Sequence, residues 1–93
     1  METPHVVKEG MIRFDPSDGI YADHFPGYPV VPGSLIIQAF LDLAGSVCEI
    51  ESFQFRSFVI PGSYAYRMER RADRWACLLL QRDEIMVRGK LKT

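Results

Sequence analysis

Apolar positions change their period three times along the chain. Residues 5–14 (HVVKEGMIRF) carry Val6, Val7, Met11, Ile12 and Phe14, a strand pattern with a break expected at Gly10. Residues 15–33 keep no period. Four of the six prolines and three of the seven glycines fall there, which excludes helix and regular strand. A loop of that length in a small chain is usually functional. Residues 34–50 (SLIIQAFLDLAGSVCEI) then read as a helix with Ser34 as its N-cap. From Leu35 to Val47 the apolar residues go round the whole helix and leave no clean solvent face, so cover on nearly all sides is expected. Gln38, Asp42 and Ser46 recur every four residues as one polar stripe.

The remainder alternates. Strands are expected over 52–60, 63–72, 74–81 and 85–92, with turns at Pro61-Gly62 and at Arg82-Asp83-Glu84. Tyr64, Tyr66 and Met68 share one face. So do Trp75, Cys77 and Leu79, and again Ile85, Val87 and Leu91. Short turns predict an antiparallel meander. The order of strand, long loop, buried helix and about four strands is an α+β layout with one helix against one sheet.

With 93 residues, 47% hydrophobic and 25% charged, the chain reads as one globular domain over 1–93. A chain of this size buries only about 60–65% of its unfolded surface. One sheet face cannot cover so apolar a helix, so a second chain is expected. No apolar run reaches the roughly 20 residues of a membrane span, and the first residues do not resemble a secretory leader. Cys48 and Cys77 sit in apolar runs as reduced thiols, the usage of a cytoplasmic protein. A formal charge of −1 argues against nucleic acid as the main partner. The charge is nonetheless segregated. Residues 1–52 hold two basic residues against eight acidic, and residues 53–93 hold nine basic against four acidic. Solvated strand faces account for this, and so does a basic surface that steers an acidic partner.

Three features carry candidate chemistry. His24 lies in Asp23-His24-Phe25-Pro26-Gly27, where proline and glycine restrict the backbone around a side chain that titrates near neutrality. The start of the helix, at Pro32-Gly33-Ser34, offers free N–H groups and the positive end of the dipole to an oxyanion or a thioester carbonyl. Gly33 would let a ligand approach the backbone. Gln38 and Asp42 either satisfy each other or form the floor of a site facing His24. No His/Cys cluster has metal-ligand spacing, and no glycine-rich phosphate loop is present, so neither a metal nor a cofactor is expected.

The stretch His24-Phe25-Pro26-Gly27-Tyr28-Pro29-Val30-Val31-Pro32-Gly33-Ser34-Leu35 resembles the G-H-F-P-G-x-P-x-x-P-G-x-L signature of the FabA/FabZ-type 3-hydroxyacyl-[acyl-carrier-protein] dehydratases. Phe55-Arg56-Ser57-Phe58-Val59-Ile60-Pro61-Gly62 is similar to that family's F-R-x-x-V-x-P-G strand and turn. The resemblance implies a hotdog fold, an antiparallel sheet wrapped round one long central helix. It also implies a homodimer, alone or assembled further, with the site at the interface. His24 falls on the histidine that takes the C2 proton. Gly33 falls on the glycine whose N–H holds the thioester carbonyl, with Phe25, Pro32 and Ser34 beside the substrate. The substrate would be an acyl group on the 4'-phosphopantetheine of an acyl carrier protein, or on CoA. Fatty-acid, related lipid or polyketide biosynthesis is the implied setting.

One departure stands out. Where the family carries Glu or Asp, this chain has Gln38, and one turn later, where the family usually carries Gln, it has Asp42. An amide cannot deliver a proton near neutral pH. Three readings follow: a dehydratase in which Asp42, or a water held by Gln38, replaces the acid; a non-catalytic acyl-thioester or carrier-binding subunit; and a hotdog thioesterase with Asp42 as base. Arg56, Arg67, Arg70, Arg71 and Arg88 are candidates for docking an acidic carrier.

Overall fold

The computed structural model describes residues 6–15, 30–45 and 48–93. His24 and Phe25, and with them the heart of the proline-rich loop, lie outside the described residues. The elements are β1 (Val6–Phe14), α1 (Gly33–Ala44), β2 (Glu49–Phe55), β3 (Gly62–Arg71), β4 (Arg74–Gln81) and β5 (Glu84–Lys92). All five strands join one antiparallel sheet in the order β1-β3-β4-β5-β2.

β3, β4 and β5 form the expected meander, but β2 does not join it. It pairs with β5 at the far edge rather than with its successor β3. The strand also starts earlier and stops earlier than the alternation suggests, at 49–55 instead of 52–60. Residues 56–61 leave the sheet and cross toward β3, ending at Pro61. A strand that must reach the opposite edge cannot turn tightly, so Pro61-Gly62 ends a crossover and is no hairpin turn. β1 runs unbroken through Gly10, contrary to the break expected there. The missing side chain makes room for the Tyr66 ring, whose Cε1 would lie 2.9 Å from a Cβ at position 10.

The β3–β4 and β4–β5 connections are two-residue turns. Arg82 and Asp83 both take positive φ, as the twist of a tight hairpin demands. β5 carries an irregularity opposite Leu79/Leu80, so both Met86 and Val87 are buried where simple alternation would bury only one.

One sheet face holds Tyr64, Met68, Trp75, Cys77, Leu79, Val87 and Leu91, and these pack with Ile36, Phe40 and Ala44 of α1. Both sheet edges reach the helix. From β2, the Phe53 ring lies 6.1 Å from that of Phe40. From β1, Lys8 Nζ donates to the Leu43 carbonyl at 2.6 Å and stands 5.5 Å from the Trp75 ring centroid. A flat sheet could not bring both edges to one helix, so the sheet is wrapped round α1 as a hotdog.

The helix itself departs from expectation in two ways. It ends at Ala44, because Gly45 turns into the left-handed region at φ 73° and its N–H bonds back to the Leu41 carbonyl. The N-cap is Pro32, not Ser34. Ser34 lies within the first turn and makes no capping hydrogen bond. Within this chain the sheet buries Ile36, Phe40 and Ala44 and half-covers Leu35, Leu41 and Leu43, in line with the expectation that one sheet face covers only part of the helix, and Ser34, Gln38 and Asp42 are exposed.

Candidate functional site

The sequence Val31-Pro32-Gly33 sets the start of the helix. Val31 is buried and its N–H donates to the Val59 carbonyl at 2.7 Å, which ties the helix entrance to the crossover after β2. Pro32 supplies the first accepting carbonyl, to Leu35 at 3.0 Å and Ile36 at 3.4 Å. Gly33 and Ser34 follow with the first two N–H groups, and no side chain caps the turn. These amides, at the positive end of the helix dipole, are what a carbonyl oxygen developing negative charge requires.

An apolar cleft of about 240 Å³ opens beside this turn, lined by Val31, Gly33, Ile36, Phe55, Phe58 and Val59. It is smaller than the roughly 300–1,000 Å³ typical of a complete ligand pocket. The Phe55 ring closes onto Gly33, and its Cζ would be 2.9 Å from a Cβ at that position. The glycine expected to admit a ligand therefore first admits Phe55, which the sequence motif marks only as a strand position and not as a site wall. The signal that would have found it is the side-chain period of β2, which places Phe53 and Phe55 on the helix-facing side. Tyr64, buried in the core and outside the cleft lining, ties down the segment that carries Phe58 and Val59. Its hydroxyl donates to the Ile60 carbonyl at 2.6 Å, and burial pushes its pKa up despite that bond.

Gln38 and Asp42 are brought together. Gln38 Nε2 donates to Asp42 Oδ1 at 2.9 Å. An ionised carboxylate only accepts, so the amide must turn its NH₂ toward Asp42 and present its oxygen elsewhere. Both side chains are exposed in the single chain. They also lie across the helix from Ile36, which lines the cleft: Gln38 is two residues or about 200° on from it, and Asp42 six residues or about 240°. Within one chain the structure thus gathers Pro32 and Gly33 at the cleft, and Gln38 with Asp42 on the outward stripe, without joining the two groups.

Of the proposed docking cations, Arg67, Arg71 and Arg88 stand on the sheet face turned away from α1, because their strand neighbours Met68 and Val87 point inward. Arg56 directly follows Phe55, at the cleft end of the helix. The cysteines play no part in the site. Neither is in a disulfide, and the Cys77 thiol pKa is pushed up to about 12 by burial and, secondarily, by Cys48. No group of three or more His, Cys, Asp or Glu that could hold a metal occurs among the described residues. No helix among them is long and apolar enough to cross a membrane.

A family model described as ApeI dehydratase matches residues 5–78, which takes in the proline-rich loop, the whole of α1 and the strands through most of β4. The chain belongs to the ApeI-like dehydratase family. The FabZ 3-hydroxyacyl-[acyl-carrier-protein] dehydratase of Rhizobium rhizogenes is 27% identical over 73 residues, a match that takes in 59% of this chain and 46% of that relative. The match therefore spans about half the length of the curated relative. Among solved structures, the dehydratase heterocomplex ApeI:P from Xenorhabdus doucetiae contains a chain similar at TM-score 0.72 and 21% identity, over 99% of this chain and 95% of that one. That likeness establishes the hotdog fold for the family member described here.

Proposed function

We propose that this chain is a dehydratase-type hotdog subunit acting on 3-hydroxyacyl thioesters carried by the pantetheine of an acyl carrier protein or by CoA. The observation that carries the reading is the uncapped N-terminus of α1 opening on an apolar cleft, within a dehydratase family. The thioester carbonyl accepts from the Gly33 amide, and the acyl chain runs along the cleft past Phe55. His24 takes the C2 proton. The proton then returns through a water held at Gln38 to the departing C3 hydroxyl, so that water leaves and the imidazole is regenerated. No carboxylic acid is needed for this balance. The missing acid nevertheless costs rate, since general acid–base assistance contributes typically about 10²–10⁴-fold.

Assembly belongs to the same proposal. Gln38 and Asp42 face away from their own sheet, and β2 is a free edge strand with exposed Ile50 and Phe55, followed by Phe58 at 83% and Ile60 at 57% exposure. Such an apolar margin on a free edge is the kind of surface a second hotdog chain covers. A homodimer formed along β2 would set the polar stripe of one chain against the loop of the other.

The Gln38–Asp42 bond favours a second reading, a subunit that binds acyl thioesters without turning them over. The deciding experiment supplies 3-hydroxyacyl carrier protein to the wild type, His24→Ala and Gln38→Glu, and follows the enoyl product by mass. Turnover lost in His24→Ala supports the dehydratase. A silent wild type with an active Gln38→Glu supports the binding subunit. Release of free thiol without enoyl product would overturn both in favour of thioester hydrolysis.

A further inference from the structure

On the sheet face opposite α1, β4 lies between two strands of long charged side chains. Its own outward residues Ala76 and Leu78 are short or apolar, so they form the floor of a groove running along the strand. Two adjoining hollows of about 240 and 250 Å³ lie along it and share Glu69, Ala76 and Lys90. Arg67 and Arg71 rise from β3 on one side, and Arg88 and Lys90 from β5 on the other.

The charges on this face are not balanced among the described residues. Arg67 is paired with Glu9 at 3.1 Å and Glu69 at 2.6 Å, and Arg74 with Glu51 at 3.1 Å and Asp73 at 3.4 Å. Arg71, Arg88, Lys90 and Lys92 form no ion pair among the described residues, although Glu49 lies opposite Lys92 in register. The register also sets like charges side by side. Arg71 is directly opposite Arg74, and Arg74 directly opposite Lys92, giving three cations in one cross-strand row. Such an arrangement destabilises an isolated sheet. An anionic partner would reverse its sign.

We infer that this groove is a docking surface for an acidic amphipathic segment of a partner protein. The acidic groups would meet Arg71, Arg88 and Lys90, and the apolar groups Ala76 and Leu78. The carboxylates of Glu9, Glu51 and Glu69 on the same face favour a protein, whose charges are mixed, over the uniform phosphates of a nucleic acid or an anionic bilayer. The groove lies across the sheet from the helix and cleft, so an occupant leaves the cleft open. The inference is independent of the reaction assigned to that cleft.

The test uses the full chain, labelled with nitrogen-15, and three probes. The first is an acidic helical peptide with Glu on most faces and Leu along one. The second is its Leu→Ser analogue of equal charge, and the third is vesicles rich in phosphatidylglycerol. The expected result is that the first peptide shifts amides of Ala76, Leu78, Arg88 and Lys90 and leaves Gly33 and Ile36 unmoved. Its binding should weaken about tenfold or more as salt rises from about 50 to about 500 mM. The Leu→Ser analogue should bind several-fold less, and Arg88→Glu/Lys90→Glu should abolish the shifts while its remaining spectrum stays native. Equal binding of both peptides, shifts elsewhere, no shifts, or an unaffected double variant each overturns the inference. Binding to vesicles alone overturns it in favour of a membrane surface.

Discussion

The Phe53 ring packs against the backbone of Gly89, so close that a Cβ at position 89 would overlap its Cε1 and Cδ1. The two residues are partners in the β2–β5 ladder, and the same ring faces Phe40 of the helix. Gly89 is thus what lets the edge strand bring its aromatic side chain down onto α1. Gly89→Ala should destabilise the fold by about 1–3 kcal/mol, the usual cost of overpacking a filled core. Denaturant unfolding measures it. Phe53→Leu in the same chain should recover part of the loss, and a strictly additive double variant would show that the two do not meet.

Lys8 is a cation on the inner face of β1. It donates to the Leu43 carbonyl in the last turn of α1, where the helix dipole favours positive charge, and it stands over Trp75. Lys8→Met keeps most of the stem and removes the charge. It should lower stability by about 1–2 kcal/mol, the range for a charge-assisted hydrogen bond at a helix end. Amide exchange should rise first in the last turn of α1. Unchanged exchange there would show that the contact holds nothing.

Gln38→Glu would place a carboxyl within hydrogen-bond reach of Asp42, since Gln38 Nε2 is 2.9 Å from Asp42 Oδ1. Two carboxylates sharing one site raise the proton affinity of one of them, which suits a general acid. Turnover of a 3-hydroxyacyl thioester should increase about 10²-fold. The gain should fall away at alkaline pH as the shared proton is lost, and adding Asp42→Asn should change that alkaline limb. A flat pH profile would mean that the new carboxyl is not the acid.

Cys77 is buried beneath the helix, with its thiol pushed from 9.0 up to about 12. The folded chain therefore holds that proton more tightly than the unfolded chain does. Its contribution to stability is complete below pH 9 and is lost as pH rises from about 9 toward 12. Tyr64, raised in the same direction, adds to the same limb. Cys77→Ala should flatten the decline in melting temperature over this window. In the native wild type, iodoacetamide at pH 8 should label the half-buried Cys48 and spare Cys77.

Much was legible in the chain because it rests on local rules. Alternation in β3 and β4 put Tyr64, Tyr66 and Met68, and Trp75, Cys77 and Leu79, on shared faces; all are buried except Tyr66, which is half-buried against the same core. The four-residue spacing of Gln38 and Asp42 placed them on one helix face, where they bond to each other. The run from His24 to Leu35 carried the family. Other features depend on contacts far apart in sequence. Local alternation cannot tell whether β2 returns to β3 or crosses to β5, since both give antiparallel pairs with the same inward residues. The choice rests on where the helix leaves the chain and on which edge can wrap it. The closure of Phe55 over Gly33 depends on that choice, because only an edge strand beside the helix entrance can place its ring there. The outward turn of Gln38 and Asp42 is likewise a tertiary outcome. The helical period sets the angle between the polar stripe and Ile36, Phe40 and Ala44, but the sheet decides which of the two is buried, by covering the side on which more apolar surface leaves water.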